Sequence, residues 1–154
     1  MRLTESIRIT CPRERVFAYT QDYGQRLVWD TFLREAVLMD GATQAGPGVK
    51  AWCVSWHGLG METQYVSFQP PAVTAVKMTR GPRLFESFAG SWRFDEDGPG
   101  VTRVTFTYAF ALRRPFGGLT PLLKWTLTRE VRGRLKDLKR RLDAGVPGAA
   151  RLAG

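Results

Sequence analysis

The sequence predicts a single α+β domain, in which a curved, seven-stranded antiparallel sheet packs against one long C-terminal helix. Seven segments show the alternation of apolar and polar side chains that is typical of half-buried strands. Short connections between consecutive strands make neighbours antiparallel. A later segment has apolar residues at every third or fourth position, as an amphipathic helix does. A chain of 154 residues is long enough for one domain with a substantial core.

Turn residues separate the predicted elements. The first strand alternates over residues 3–10, and Pro12 then precedes a short helix over 13–21, since proline suits the start of a helix. A second short helix is expected over residues 25–29. Six further strands follow, separated by turns that are mostly rich in glycine and proline. They span residues 32–39, 49–56, 61–68, 73–79, 84–95 and 101–112.

The long helix is predicted to begin at Thr120, an N-cap residue before Pro121, and to end at Gly145 and Pro147. It has about six turns. We expect Gly133 to leave room for a ligand or a neighbouring strand. Seven residues form its apolar stripe: Leu119, Leu123, Leu127, Val131, Leu135, Leu138 and Leu142.

A sheet of seven strands is expected to curl, because strands twist relative to their neighbours. A curled sheet around one helix leaves an interior cavity, and concave apolar cavities are where small ligands bind. The predicted ligand-binding domain covers residues 1–145, and residues 146–154 are predicted to form a flexible tail.

The chain is basic, with 23 Lys and Arg residues against 14 Asp and Glu residues, a formal charge of +9. Arginine dominates and asparagine is absent, which fits the coding bias of high-GC bacteria. No nucleic-acid-binding motif occurs, so we expect no specific nucleic-acid partner and at most a weak attraction to anionic surfaces. Basic amphipathic helices also contact membranes, but we expect this helix to use its apolar stripe for the core.

Several kinds of site are not expected. His57 is the only histidine, so a multi-histidine metal site is excluded, and Cys11 and Cys53 form no paired motif. Nucleotide-binding glycine motifs and serine-nucleophile motifs are absent. We therefore expect no metal and no cofactor. No apolar run approaches the roughly 20 residues of a membrane span, and we expect no secretory signal and a cytoplasmic protein.

Three segments match the patterns of a known superfamily. Residues 12–19 (PRERVFAY) fit its first-helix pattern of Pro, three residues, Val and Phe; Trp29 occupies its usual tryptophan position; and residues 37–49 fit its glycine-rich turn. With the order of elements, residues 2–143 resemble the START-like, or helix-grip, superfamily (SRPBCC). That superfamily includes polyketide cyclase/dehydrase and lipid-transport proteins. The resemblance implies a lipid or aromatic polyketide ligand, and members of the superfamily either carry or convert such molecules.

The predicted ligand-binding residues are large side chains on strand faces, on the helix stripe and before the second strand. They are Trp29, Met61, Tyr65, Met78, Phe88, Trp92, Phe106, Tyr108, Phe110, Leu123, Leu127 and Val131. We expect a hydrophobic small molecule to be bound or carried between the sheet and the last helix. The alternative is a cyclase/aromatase-type enzyme that acts on a ligand in the same cavity.

Four polar residues on apolar strand faces are candidates for that catalysis: Glu35, Glu86, Tyr65 and Tyr108. If these faces point inward, burial raises the pKa of a carboxyl group and fits it for proton transfer. The alternative is that they reach solvent at strand ends, or that the tyrosine hydroxyls find core partners. We expect His57, at a glycine-flanked hairpin tip, to be an exposed turn residue without a partner.

Overall fold

The computed structural model describes residues 1–143, so the predicted tail and the predicted helix end at Gly145 and Pro147 lie outside the described residues. The helices are α1 (Arg13–Gln21), α2 (Arg26–Trp29) and α3 (Thr120–Asp143), and a 3₁₀ turn over Phe116–Leu119 leads into α3. The strands are β1 (Arg2–Ile9), β2 (Leu33–Leu38), β3 (Lys50–Ser55), β4 (Gly60–Gln69), β5 (Val73–Arg80), β6 (Phe85–Glu96) and β7 (Thr102–Leu112).

All seven strands form one antiparallel sheet with the order β1-β7-β6-β5-β4-β3-β2. Strands β2 to β7 follow chain order, because short connections place each next to its predecessor. β1 forms the other edge of the sheet and pairs with β7, with Arg2 opposite Ala109. The curved sheet holds the long C-terminal helix, so the predicted helix-grip fold is confirmed.

The two halves of α3 have different surroundings. In its second half, Val131, Leu135, Leu138 and Leu142 are buried, and the helix packs mainly against β1. In its first half, Leu123 and Leu127 are only partly buried and face an open space above the sheet. Leu119, predicted as part of the buried stripe, is exposed. Core side chains therefore fill the space between the sheet and the second half of α3, whereas the space beside the first half of α3 is open.

β-Bulges in β2 and β6 place some side chains on the opposite face of the sheet from the one predicted. The registers of β2 and β6 shift between Leu33 and Glu35 and between Phe85 and Ser87. A bulge adds one residue to a strand and reverses the alternation beyond it. Phe85 and Phe88 therefore both face inward although they are three residues apart, and Glu86 and Glu35 are exposed. Of the two alternatives for these carboxyl groups, the structure shows the one in which they reach solvent, so neither can act on a ligand inside the grip.

Gly133 in α3 is also placed differently from expectation. A Cβ atom at Gly133 would meet nothing within 4 Å, so this glycine makes room for no strand of the described residues. It is exposed and does not line the cavity between the sheet and α3. No helix within residues 1–143 combines the length and the apolar character that crossing a membrane requires.

Candidate functional site

A cavity of about 490 Å³ lies between the concave face of the sheet and the first half of α3. Its wall is mostly apolar and aromatic. β4, β6 and β7 contribute most of the predicted residues that line it, because alternate residues of each strand point to this face. The predicted residues found in the wall are Met61, Tyr65, Phe88, Trp92, Phe106, Tyr108, Leu123 and Leu127.

Trp29, Met78, Phe110 and Val131 were also predicted to bind the ligand, but they do not line this cavity. Trp29 is almost fully buried and meets the edge of Trp92 at a centroid distance of 6.1 Å, so it supports the wall from behind. Phe110 and Val131 are buried in the core, and Met78 packs against the core's edge. Alternation predicts which face a residue joins, but it does not predict how far along the strand the cavity extends.

A buried charged cluster that was not predicted from the sequence, made by Arg26, Asp30 and Arg134, lies at the cavity wall. Asp30 is 0% exposed, and its Oδ2 accepts hydrogen bonds from Arg26 Nε at 3.0 Å, Arg134 Nε at 3.1 Å and Arg134 Nη2 at 2.9 Å. Burial disfavours the Asp30 carboxylate, but both guanidinium groups and their hydrogen bonds outweigh it and hold its pKa below the ordinary value. Arg26 and Arg134 both line the cavity.

This cluster left a signal in the sequence. Arg26 and Asp30 are four residues apart, the spacing that brings opposite charges together on a helix. Arg134 lies three residues after Val131, which places a charge beside the apolar stripe of α3. A charge on a core-facing helix side needs a partner, because burying an unpaired charge is costly. The partner itself was not predictable, since the fold brings Asp30 and Arg134 together from 104 residues apart.

Three tyrosine hydroxyl groups reach the cavity, and their hydrogen bonds can be ordered. Tyr65 Oη donates to Gln21 Oε1 at 2.7 Å, so Tyr23 Oη, 3.2 Å from Tyr65 Oη, is the donor of that second bond. Arg134 Nη1 donates to Tyr108 Oη at 2.6 Å. This is the hydrogen bond that Tyr108 Oη makes among residues 1–143, and Tyr108 is the acceptor in it, so its own hydroxyl hydrogen has no acceptor among these residues. Burial raises the pKa of Tyr108, so this hydroxyl stays protonated at neutral pH.

The β3–β4 hairpin tip and α3 approach each other at the cavity rim. His57 is exposed, as predicted, but it has partners: its Nδ1 lies 3.2 Å from Ser55 Oγ and its Nε2 lies 3.9 Å from Glu130 Oε1. Its ring also stacks on Trp56, with centroids 4.0 Å apart. Burial raises the pKa of the Glu130 carboxyl, although His57 and Arg134 oppose this shift. Glu130, which was not predicted, is the one carboxyl group among the described residues that lines the cavity.

Within the part of the chain that the structure describes, no three His, Cys, Asp or Glu side chains cluster in a way that would hold a metal ion. Both cysteines are free thiols, and Cys53 lies in the cavity wall. Burial raises the pKa of Cys53, so its thiol is not primed for nucleophilic attack at neutral pH. Among the described residues, the cavity wall also contains arginine and tyrosine side chains, the imidazole of His57, several serine and threonine hydroxyl groups and the carboxyl group of Glu130.

The family model "Polyketide cyclase / dehydrase and lipid transport" matches residues 1–143. The chain belongs to this family. Its predicted membership of the START-like superfamily is thereby confirmed. No curated protein gives a significant match to the sequence.

Several solved structures of low sequence identity have the same fold. The protein TTHA0849 from Thermus thermophilus is 20% identical with a TM-score of 0.79, over 95% of this chain and 99% of that one. The Zhui aromatase/cyclase from Streptomyces sp. R1128 is 14% identical with a TM-score of 0.78, over 94% and 98%. A START superfamily protein from Mycobacterium smegmatis is 11% identical with a TM-score of 0.77, over 93% and 97%. At these identities the likeness is one of fold.

Proposed function

We propose that this protein binds and carries a hydrophobic small molecule, a lipid or an aromatic polyketide, that bears an oxygen atom at one end. The observation that supports this most directly is the hydroxyl group of Tyr108, which is fixed by Arg134 and has no acceptor of its own among the described residues. The oxygen end accepts a hydrogen bond from this hydroxyl. The family description supports a ligand of this class.

The apolar part of the cavity accounts for the body of the ligand. Phe88, Trp92 and Phe106 form an aromatic wall that is continuous through the ring of Tyr108. Tyr108 lies 4.8 Å from Phe88 and 4.6 Å from Phe106, and Phe106 meets Trp92 edge to face at 4.5 Å. Aromatic faces favour planar or extended apolar molecules. The volume of about 490 Å³ falls within the ~300–1,000 Å³ of pockets that hold drug-sized ligands.

The polar end of the cavity is held in place before any ligand arrives. Asp30 fixes Arg134 through two hydrogen bonds, and Arg134 in turn fixes Tyr108. A donor that is already ordered loses little conformational entropy on binding, so its hydrogen bond contributes more to affinity. The cluster therefore selects ligands by the position of an oxygen atom.

Two probes of matched shape test this proposal: 2-naphthol, and 2-methylnaphthalene, in which a methyl group replaces the hydroxyl. We expect the wild-type protein to bind 2-naphthol roughly tenfold more tightly, the value of one good hydrogen bond. Tyr108→Phe should abolish this preference and leave the affinity for 2-methylnaphthalene unchanged. Dissociation constants measured by calorimetry give both values.

Tyr23→Phe is the matched control, because Tyr23 also lines the cavity but its hydroxyl hydrogen is already donated to Tyr65. It should keep the preference for 2-naphthol. Failure of both probes to bind the wild-type protein would contradict the proposal, as would a Tyr108→Phe variant that still prefers 2-naphthol.

A second candidate function is proton-transfer catalysis of the cyclase/dehydratase type, and the position of Glu130 favours it. Glu130 lines the same cavity as Tyr108, and burial raises the pKa of its carboxyl group, as a general base requires. Its carboxylate would take a proton from a methylene beside a carbonyl group, and the electron pair would move to the carbonyl oxygen. Tyr108 and Arg134 would stabilise that oxygen as negative charge develops.

Deuterium exchange separates catalysis from carriage. 2-Tetralone in deuterium oxide exchanges its activated methylene protons, which proton NMR follows directly. An enzyme should speed this exchange, and Glu130→Gln should slow it roughly a hundredfold or more while 2-tetralone still binds. Glu35→Gln, on the exposed face of β2, should change nothing. A wild-type rate equal to that of buffer leaves carriage as the function.

A further inference from the structure

Residues 113–129, which we call the mouth face, combine positive charge with exposed apolar side chains. This segment contains four basic residues, Arg113, Arg114, Lys124 and Arg129, and no aspartate or glutamate. All four basic residues are exposed. The segment therefore has a uniform positive charge over the 3₁₀ turn and the first turns of α3.

Large apolar side chains of the mouth face are exposed beside these charges. Trp125 is 59% exposed and Leu122 is 58% exposed, and Phe116 and Leu119 precede them at 40% and 43%. They lie on a side of α3 that does not cover the core. Contiguous exposed apolar groups on a folded protein mark interaction surfaces.

The basic residues of the mouth face form no ion pair among the described residues, whereas two basic residues further along α3 do. Arg132 pairs with Glu5 at 3.1 Å, and Lys139 pairs with Asp143 at 2.8 Å. The guanidinium of Arg129 instead lies 4.9 Å from the ring centre of Trp125. The charges of the mouth face are thus available to a negatively charged partner outside the chain.

The mouth face adjoins the opening of the cavity. Leu123 and Leu127 line the cavity from the same turns of α3 that expose Leu122 and Trp125. Across the opening, Leu59 of the β3–β4 hairpin lines the cavity and is itself 61% exposed. A partner that covers the mouth face therefore lies beside the route by which a ligand enters.

We propose that the mouth face docks on an anionic lipid bilayer, with Leu122 and Trp125 in the interface and the four basic residues among the lipid phosphates. Tryptophan prefers the interfacial zone of bilayers, and basic residues bind anionic leaflets. A nucleic acid would use the charges but leave the apolar side chains in water. A second copy of this chain would bring like charges together.

Flotation of the full-length protein with vesicles tests this inference at physiological salt. We expect binding to vesicles of two parts phosphatidylcholine to one part phosphatidylglycerol, and little binding to phosphatidylcholine alone. Leu122→Ser combined with Trp125→Ser should weaken the binding roughly tenfold or more, because both side chains lose their apolar contact with the bilayer. Lys124→Glu should weaken it by a similar factor.

Two controls carry changes of the same kinds, apolar to serine and lysine to glutamate, on the opposite side of the sheet. Val66→Ser removes an exposed apolar side chain from β4, and Lys77→Glu reverses an exposed lysine on β5. Both should bind vesicles like the wild type. Equal binding to both kinds of vesicle, or mouth-face variants that bind like the wild type, would overturn the inference. So would a wild-type dimer that the Leu122/Trp125 double variant converts to a monomer in light scattering.

Discussion

Asp30 is the residue on which the polar wall of the cavity depends. It compensates two buried guanidinium groups, and Arg134 positions Tyr108 only while Asp30 holds it. Asp30→Ala leaves both charges without a partner, so we expect the free energy of unfolding to fall by about 3–5 kcal/mol. Urea unfolding at neutral pH measures this loss.

Asp97→Ala is the control for Asp30→Ala. Asp97 also pairs with two arginines, Arg8 at 2.8 Å and Arg103 at 3.1 Å, but these pairs are solvent-accessible. Its loss should cost less than about 1 kcal/mol. Similar losses for the two variants would show that burial of the Asp30 cluster contributes nothing.

The effect of Asp30 should depend on pH in a defined direction. Burial opposes ionisation of Asp30, but the two arginines lower its pKa below the value in the unfolded chain. The stabilisation is therefore complete above about pH 4, the ordinary range of an aspartate, and is lost as the pH falls through the lower folded-state pKa. The difference between wild type and Asp30→Ala should shrink in acid.

At the scale of elements, alanine substitutions at two glycines with open surroundings should change the stability of the protein in opposite directions. A Cβ atom would meet nothing within 4 Å at Gly48, in the β2–β3 connection, or at Gly133 in α3. Gly48 has a φ of +77°, which disfavours alanine, whereas Gly133 is helical. Gly48→Ala should therefore destabilise the protein by about 1 kcal/mol, and Gly133→Ala should stabilise it by about 1 kcal/mol. Urea midpoints check both signs.

If both glycine variants changed the stability in the same direction, this reasoning would be contradicted, since neither alanine meets a neighbouring atom.

The bulges in β2 and β6 show what the local sequence pattern does not predict about these elements. Alternation alone assigned Glu86 to the face of Phe88, because nothing in that stretch reveals where a register shift occurs. The bulge exists only relative to the paired strand β7, so it follows from tertiary structure rather than local pattern.

For the whole molecule, periodicity was enough to predict the architecture. Every strand and helix of the described residues was expected in its observed order, and β3 at Lys50–Ser55 lies within the predicted residues 49–56. The aromatic wall, including Phe88 and Trp92, was predictable in the same way because strand faces repeat every two residues. The Asp30–Arg134 pair and the contact between His57 and Glu130 were not, since each joins segments distant in sequence.

The pairing of the first strand with the last has a consequence for synthesis. Thr4 and Thr107 share a hydrogen bond although they are 103 residues apart, and β1 pairs with β7 along its whole length. Ribosomes add about 5–20 residues per second, so β1 waits roughly 5–20 s for β7, its only neighbouring strand among the described residues, to be made. Contacts this distant in sequence also slow folding, because a long loop must close before they form. We therefore expect β1, the first of these seven strands to be made, to be among the last to enter the sheet, and its unpaired edge is exposed to chaperones and to other nascent chains in the meantime.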